Sequence, residues 1–255
     1  MGIVLGSTGG GGSILTVPIL AYIFKLSATH ATAYSLFVVG VGSSIGAIGY
    51  FKKGQVDFKT GLMFSIPAFI GVYTVRRHLI PMLPEYVFNN ETFSLSKDQL
   101  ILGAFALVML AASIPMIRER RIPTSKAKAL SPLMKRALIT FEGVVIGAIT
   151  GFVGAGGGFV IVPALVLLAN LPMKTAVGTS LFIISINSLI GFSGDLQTLD
   201  FINWAFLLKF TAFSIVGILI GSRLASRIPA NTLKKGFGYF VLIMGFIILY
   251  LEVRK

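Results

Sequence analysis

The stretch that decides the fold reads Gly151-Phe152-Val153-Gly154-Ala155-Gly156-Gly157-Gly158-Phe159-Val160-Ile161-Val162-Pro163-Ala164-Leu165. A second version of this pattern lies 145 positions earlier, as Gly6-Ser7-Thr8-Gly9-Gly10-Gly11-Gly12-Ser13-Ile14-Leu15-Thr16-Val17-Pro18-Ile19-Leu20. The match continues without a gap, because Ser35-Leu36-Phe37 falls on Ser180-Leu181-Phe182. A sustained match at one fixed spacing indicates an internal duplication. We therefore interpret the chain as two homologous repeats.

The composition places these repeats in a membrane. Apolar residues make up 55% of the 255 residues and charged residues only 12%, and the mean hydropathy is +0.89. Water-soluble domains carry roughly a quarter of charged residues. The net charge of +13 comes from residues between apolar segments, where they orient the chain and meet anionic lipid. We expect an integral protein of a bacterial plasma membrane, with lipid rather than nucleic acid as its partner.

The scarcity of ligating residues argues against several kinds of chemistry. The chain contains no cysteine and only two histidines, His30 and His78. Zinc and haem sites depend on those residue types, so we expect neither a metal nor another cofactor. An enzyme would also need converging carboxylates, histidines or a nucleophile at membrane depth, and the sequence contains no such group. A membrane-embedded enzyme is therefore the weakest interpretation.

The chain contains several apolar segments that are long enough to span a bilayer as helices. They predict an all-α polytopic membrane protein. Residues 1–117 form the first predicted repeat, 118–136 a basic cytoplasmic linker and 137–255 the second repeat. In each repeat a glycine-broken helix, re-entrant or discontinuous, precedes three plain transmembrane helices. The predicted segments are 2–24 (broken), 31–51, 58–75 and 99–117 in the first repeat, and 137–169 (broken), 175–194, 201–222 and 236–251 in the second.

Loop charges indicate how the two repeats are oriented. Lysines dominate the 52–59 loop, whereas the matching loop carries only Asp195 and Asp200. In the next loop Arg76 and Arg77 are balanced by acids, whereas the 223–235 loop is purely basic. Since short basic loops stay in the cytoplasm, we favour inverted repeats. Eight full spans with parallel repeats remain the alternative, and the basic C-terminus, with Arg254 and Lys255, fits the inverted arrangement poorly.

The glycine clusters are the predicted binding sites. Unwound backbone is tolerated in hydrocarbon only around a polar cavity or inside protein. Each cluster leads into a short helix with a proline near its first turns, at Pro18 and Pro163. Helix N-termini present free N–H groups that bind anions, so two such ends near the midplane would hold an anion without a buried cation. The predicted substrate-binding residues of the clusters are Gly9, Gly10, Gly11, Gly12, Ser13, Gly154, Gly156, Gly157 and Gly158. Close helix packing is the alternative role of the glycines.

Polar residues on the following helix complete the predicted site. Ser35 and Ser180 match across the repeat, whereas Thr179 and Asn187 occur only in the second copy. Hydroxyls and amides can donate to an anion, although they also bond to their own helix. Arg77 and Arg223 follow Gly71 and Gly217 by the same interval and are expected to anchor helix ends.

The duplicated G-x-x-G-x-G-G-G-x-x-x-V-P-x-L unit, followed by an S-L-F helix, resembles the TauE/SafE family of sulfite-exporter-like membrane proteins. The second copy is the more specific match, and Gly10 and Ser13 depart from it in the first. The resemblance implies a secondary transporter, working as an exporter, for sulfite or an organosulfonate. An anion channel with the same site is the alternative, because saturation and counterflow, not sequence, separate the two.

Overall fold

A computed structural model describes residues 1–8, 13–90, 93–118, 132–154, 156–158, 161–162, 165, 169, 171–197, 199, 201–225 and 230–254. Within them the chain is helical apart from one two-stranded antiparallel hairpin, β1 (Tyr86–Asn90) and β2 (Phe93–Ser96). The hairpin lies between the helices predicted at 58–75 and 99–117. The helices are α1 (Gly2–Thr8), α2 (Ser13–Pro18), α3 (Ala28–Phe51), α4 (Phe58–Thr74), α5 (Ile80–Met82), α6 (Lys97–Ile117), α7 (Pro132–Val153), α8 (Met173–Asp195), α9 (Trp204–Ala225) and α10 (Ala230–Val253).

Long apolar helices confirm the membrane class. Among the described residues five helices are long and apolar enough to cross a bilayer: Ala28–Phe51, Phe58–Met82, Lys97–Ile114, Lys174–Asp195 and Trp204–Gly221. Shorter apolar helices cover Ile14–Ile23, Thr140–Val153 and Gly238–Val253. Each predicted plain helix has a counterpart whose bounds differ by a few residues. The main difference is α4, which continues as one helical rod to Met82 through a π-helical turn, Val75–Leu79.

The centre of the bundle is the antiparallel pair α3 and α8. Near the middle of both helices the hydroxyls of Ser44 and Ser185 lie 2.6 Å apart. Towards one end Gly46 packs against Leu181, and towards the other Gly191 packs against Leu36. Both helices are largely buried, because glycine on one face lets the leucine of the partner approach.

Glycines also join the outer helices to this centre. Gly147 of α7 lies directly against the backbone of Ala68 in α4, and Gly143 lies against Phe64. On the other side of the bundle Gly2 of α1 lies against the backbone of Ser214 in α9. In both pairs the helices run parallel, and their backbones touch because no side chain separates them.

The remaining pair, α6 and α10, packs through larger side chains. Phe105 and Met109 of α6 are fully buried in one cluster with Val241 and Ile248 of α10. Helix α6 begins with a capping box in which Ser96 and Gln99 satisfy each other's backbone N–H groups. This pair lies outside the centre that α3 and α8 form.

Candidate functional site

The second glycine cluster interrupts the helical backbone. Helix α7 ends at Val153, and φ is +71° at Gly154 and +67° at both Gly156 and Gly157. Residues with a side chain rarely adopt such values, so this path requires glycine. Gly158 is helical and buried. The Gly154 N–H donates to Thr150 O over 2.8 Å, which leaves Gly156, Gly157 and Gly158 as the candidate donors.

The interrupted segment lies close to α3 and α8. A Cβ atom at Gly156 would stand 2.7 Å from Val39, 3.1 Å from Ile184 and 3.1 Å from Ser188 Oγ. Val39 and Ile184 are the central residues of their helices. The interrupted segment therefore reaches the middle of α3 and α8, the most buried of the five candidate spans.

A buried arginine borders the same segment. A Cβ atom at Gly154 would stand 2.7 Å from Arg76 Nη2 and would overlap Thr32. Arg76 lies in the π-helical turn Val75–Leu79 and is fully buried. Single π-helical turns within α-helices are frequent at functional sites. The guanidinium is the buried cation that the sequence analysis did not expect.

Arg76 forms a polar cluster with two residues, which we call the Arg76 cluster: Thr32, Arg76 and Asp195. Arg76 Nη1 donates to Thr32 Oγ1 over 3.0 Å and to Asp195 Oδ2 over 3.3 Å. Asp195 is 1% exposed and also interacts electrostatically with His30. Neither Nε nor Nη2 of Arg76 has a hydrogen-bond partner among the residues that the structure describes. A guanidinium has five donors, so part of this one is available to a ligand.

Several neutral polar atoms of α3 and α8 are also buried without a hydrogen-bond partner in the described part of the chain. They belong to Ser35, Ser43, Asn187 and Ser188. Thr32, Ser35, Val39 and Ser43 follow one another at helical spacings of three and four, so they share a face of α3. Thr32 and Val39 contact the glycine segment, and therefore this face with Ser35 is directed towards it. Buried polar groups normally have partners, and a bound polar solute would supply them.

Two predicted residues lie elsewhere. Thr179 is buried, and its hydroxyl accepts the backbone N–H of Asp57 over 2.9 Å. Ser180 donates to Val177 O in its own helix over 2.8 Å. Both stand near the start of α8, about 22–24 Å along the helix from Asp195 at 1.5 Å per residue. Thr179 thus holds the 52–57 loop, and neither residue is brought to the Arg76 cluster.

The first glycine cluster, Gly9, Gly10, Gly11 and Gly12, lies outside the described residues. Ser13 is the first residue of α2, the helix start that the sequence predicted. Helix α2 runs through Pro18 into a π-helical turn, Ile19–Ile23.

Sequence reasoning missed Arg76 and Asp195 because it assigned both to loops. The predicted helices 58–75 and 175–194 ended one residue before Arg76 and Asp195. Both charged residues therefore fell just outside the predicted membrane segments. A usable signal was present, because Ile80 and Met82 continue the apolar pattern after Arg76. An arginine within such a run is expensive in a membrane and is usually functional.

Comparison with known proteins agrees with this architecture. Residues 1–248 match the family model described as "Sulfite exporter TauE/SafE". The chain belongs to the TauE/SafE family. It is thus a membrane transporter, an integral membrane protein and not an enzyme.

Two curated relatives of this TauE/SafE chain match nearly its whole length. A "Probable membrane transporter protein" of Xylella fastidiosa (strain Temecula1) is 28% identical over 98% of this chain and 91% of its own. The "Probable membrane transporter protein YunE" of Bacillus subtilis is 24% identical over 98% of this chain and 95% of its own. No solved structure matches the chain.

Proposed function

We propose that this TauE/SafE protein is a secondary transporter, working as an exporter, for a small sulfur-containing oxyanion such as sulfite or an organosulfonate. It would act in the bacterial plasma membrane. The observation that carries the proposal is the unpaired side of a buried guanidinium facing backbone that only glycine can adopt. The family description adds the substrate class and the direction.

The donors around the glycine segment suit a sulfonate or sulfite headgroup. Arg76 offers Nε and Nη2, two neighbouring donors of the planar group that binds oxyanions in a bidentate manner. Hydroxyls of Ser35 and Ser188 add neutral donors. Backbone N–H groups at Gly156, Gly157 and Gly158, together with Gly9–Gly12 and Ser13, complete the proposed site. This differs from the site expected from sequence in one respect, because the buried guanidinium of Arg76 joins the backbone N–H groups in binding the anion.

We further infer that the two halves are inverted repeats. Shifting by 145 positions converts the Gly46–Leu181 contact into the contact between Leu36 and Gly191. The same operation exchanges the pair α4 and α7 for the pair α9 and α1. Equivalent helices α3 and α8 run antiparallel, as inversion requires. These relations support rocking of one half against the other as the route to alternating access.

Transport by the purified protein tests the proposal. Proteoliposomes are filled with radiolabelled sulfite or sulfoacetate, and efflux is followed with and without unlabelled anion outside. We expect saturable efflux that external anion accelerates through counterflow. No flux of either anion would refute the proposed function, and non-saturating flux without counterflow would identify a channel.

Neighbouring arginines provide a matched pair of variants. Arg76→Gln removes the buried charge and should lower anion affinity about 10- to 100-fold, the equivalent of losing charge-assisted hydrogen bonds of 1.5–3 kcal/mol. Arg77→Gln makes the same charge change at a half-buried position and should leave the affinity close to that of the wild type. Equal losses of affinity in the two variants would mean that Arg76 acts only through the net positive charge of this region and does not bind the anion directly.

A further inference from the structure

The ion pair between Arg76 and Asp195 has long, monodentate geometry although both side chains are buried. Arg76 is 0% and Asp195 1% exposed, yet the one hydrogen bond between these two side chains joins Nη1 to Oδ2 over 3.3 Å. Strong arginine–carboxylate pairs are bidentate and shorter. Burying two charges without such geometry does not generally stabilise a protein. The pair therefore needs another explanation than stability.

The position of the carboxylate suggests what that explanation is. Asp195 contacts Nη1, whereas Nη2 borders Gly154 and the interrupted backbone. The carboxylate and the proposed anion site thus lie at different nitrogens of one guanidinium. An oxyanion entering at Nη2 and Nε would compete with Asp195 for a single positive charge.

The charge balance of the site links this competition to the movement of the empty carrier. Without a bound anion, Arg76 and Asp195 sum to zero, so the empty site can change sides without moving net charge through the membrane. With Asp195 removed, the empty site would carry an uncompensated cation in a low-dielectric interior, which is strongly unfavourable. A bound anion would neutralise that cation in place of the carboxylate.

We propose that Asp195 is a tethered counter-anion: it neutralises Arg76 while the transporter is empty, and the transported oxyanion displaces it on binding. This inference rests on the proposed function and adds a role for Asp195 in the return of the empty carrier. Asp195 is the last residue of α8.

Separate assays of exchange and net efflux test the role of Asp195. The probe is radiolabelled methanesulfonate, a monoanion that does not titrate in the working range. In Asp195→Asn, anion–anion exchange at saturating anion should persist, because the site is always occupied when it changes sides. Net efflux should fall at least about tenfold, because the empty, positively charged site cannot return. Asp195→Glu should restore net efflux.

The outcomes separate the two proposals. A wild type that moves no anion refutes the proposed function. A wild type that transports while Asp195→Asn loses exchange and net efflux in equal proportion, or loses neither, refutes the counter-anion role alone. Infrared difference spectra of the wild type, with and without methanesulfonate, provide a measurement that needs no variant. We expect a shifted carboxylate band, and an unchanged carboxylate region would overturn the inference.

Discussion

Gly154 must be glycine for two reasons, its backbone conformation and the closeness of neighbouring side chains. Its φ of +71° excludes ordinary side chains, and an added Cβ would meet both Arg76 and Thr32. Gly154→Ala should therefore cost about 1–3 kcal/mol in backbone strain and move the guanidinium, lowering efflux by about tenfold or more. The control is Gly103→Ala in α6, where no atom lies within 4 Å of the new methyl group. Wild-type efflux in Gly154→Ala would contradict the site.

Ser188 tests whether an unpaired hydroxyl serves the anion. Its Oγ is buried without a partner in the described part of the chain and lies beside Gly156. Ser188→Ala removes an unsatisfied polar group, so the unfolding temperature should hold or rise. Methanesulfonate affinity, measured by calorimetry, should fall about threefold to tenfold, as expected for one neutral hydrogen bond of about 1 kcal/mol.

A matched serine supplies the control for that measurement. Ser113 in α6 is also fully buried, but it donates to Leu110 O over 2.7 Å. Ser113→Ala should leave the affinity unchanged. Lower stability of Ser188→Ala with unchanged affinity would instead assign Ser188 to packing.

At this scale the sequence predicted the glycines better than the polar side chains. The break at Gly154–Gly157 follows from glycine's conformational freedom, which is a local property. The roles of Thr179 and Asp195 depend on which helix faces them across the bundle, which no local pattern specifies. Ser35 was predicted because it matches Ser180 across the repeat, and its part in binding stays a prediction, as does that of Asn187.

Among the elements, the contact between α4 and α7 depends most on small residues. Gly147 lies against the backbone of Ala68, so Gly147→Leu must separate the two helices. Overpacking of this kind costs about 1–3 kcal/mol, and we expect a lower unfolding temperature in detergent. Gly49→Leu is the control, because Gly49 is exposed with no atom within 4 Å of an added Cβ. Equal unfolding temperatures for the two variants would contradict the close contact.

Element boundaries followed from apolar length alone, with two exceptions that have physical causes. Helix α4 continues to Met82 because a π-helical turn accommodates Arg76 inside the rod. Tyr86–Asn90 and Phe93–Ser96 pair as strands, which a search for apolar segments of spanning length does not predict.

For the whole molecule, the inverted arrangement has a direct topological test. The chain has no cysteine, so single cysteines can be introduced without background. Lys53 and Gln197 are both exposed and follow the equivalent helices α3 and α8. Because these helices are antiparallel, Lys53→Cys should react with a membrane-impermeant maleimide only from the cytoplasm and Gln197→Cys only from outside. Reaction of both from one side would refute the inversion.

The crossed packing of the halves has a consequence for biosynthesis. Helix α4 of the first half packs on α7 of the second, and α9 of the second half packs on α1 of the first. A nascent chain that has delivered only its first half therefore exposes the small-residue groove at Gly71, whose neighbours Val144 and Ala148 are still inside the ribosome. The first half is therefore an unassembled intermediate in the membrane until the second half has been synthesised. The speed of translation through the basic linker sets how long this intermediate exists, and thereby influences the yield of folded protein.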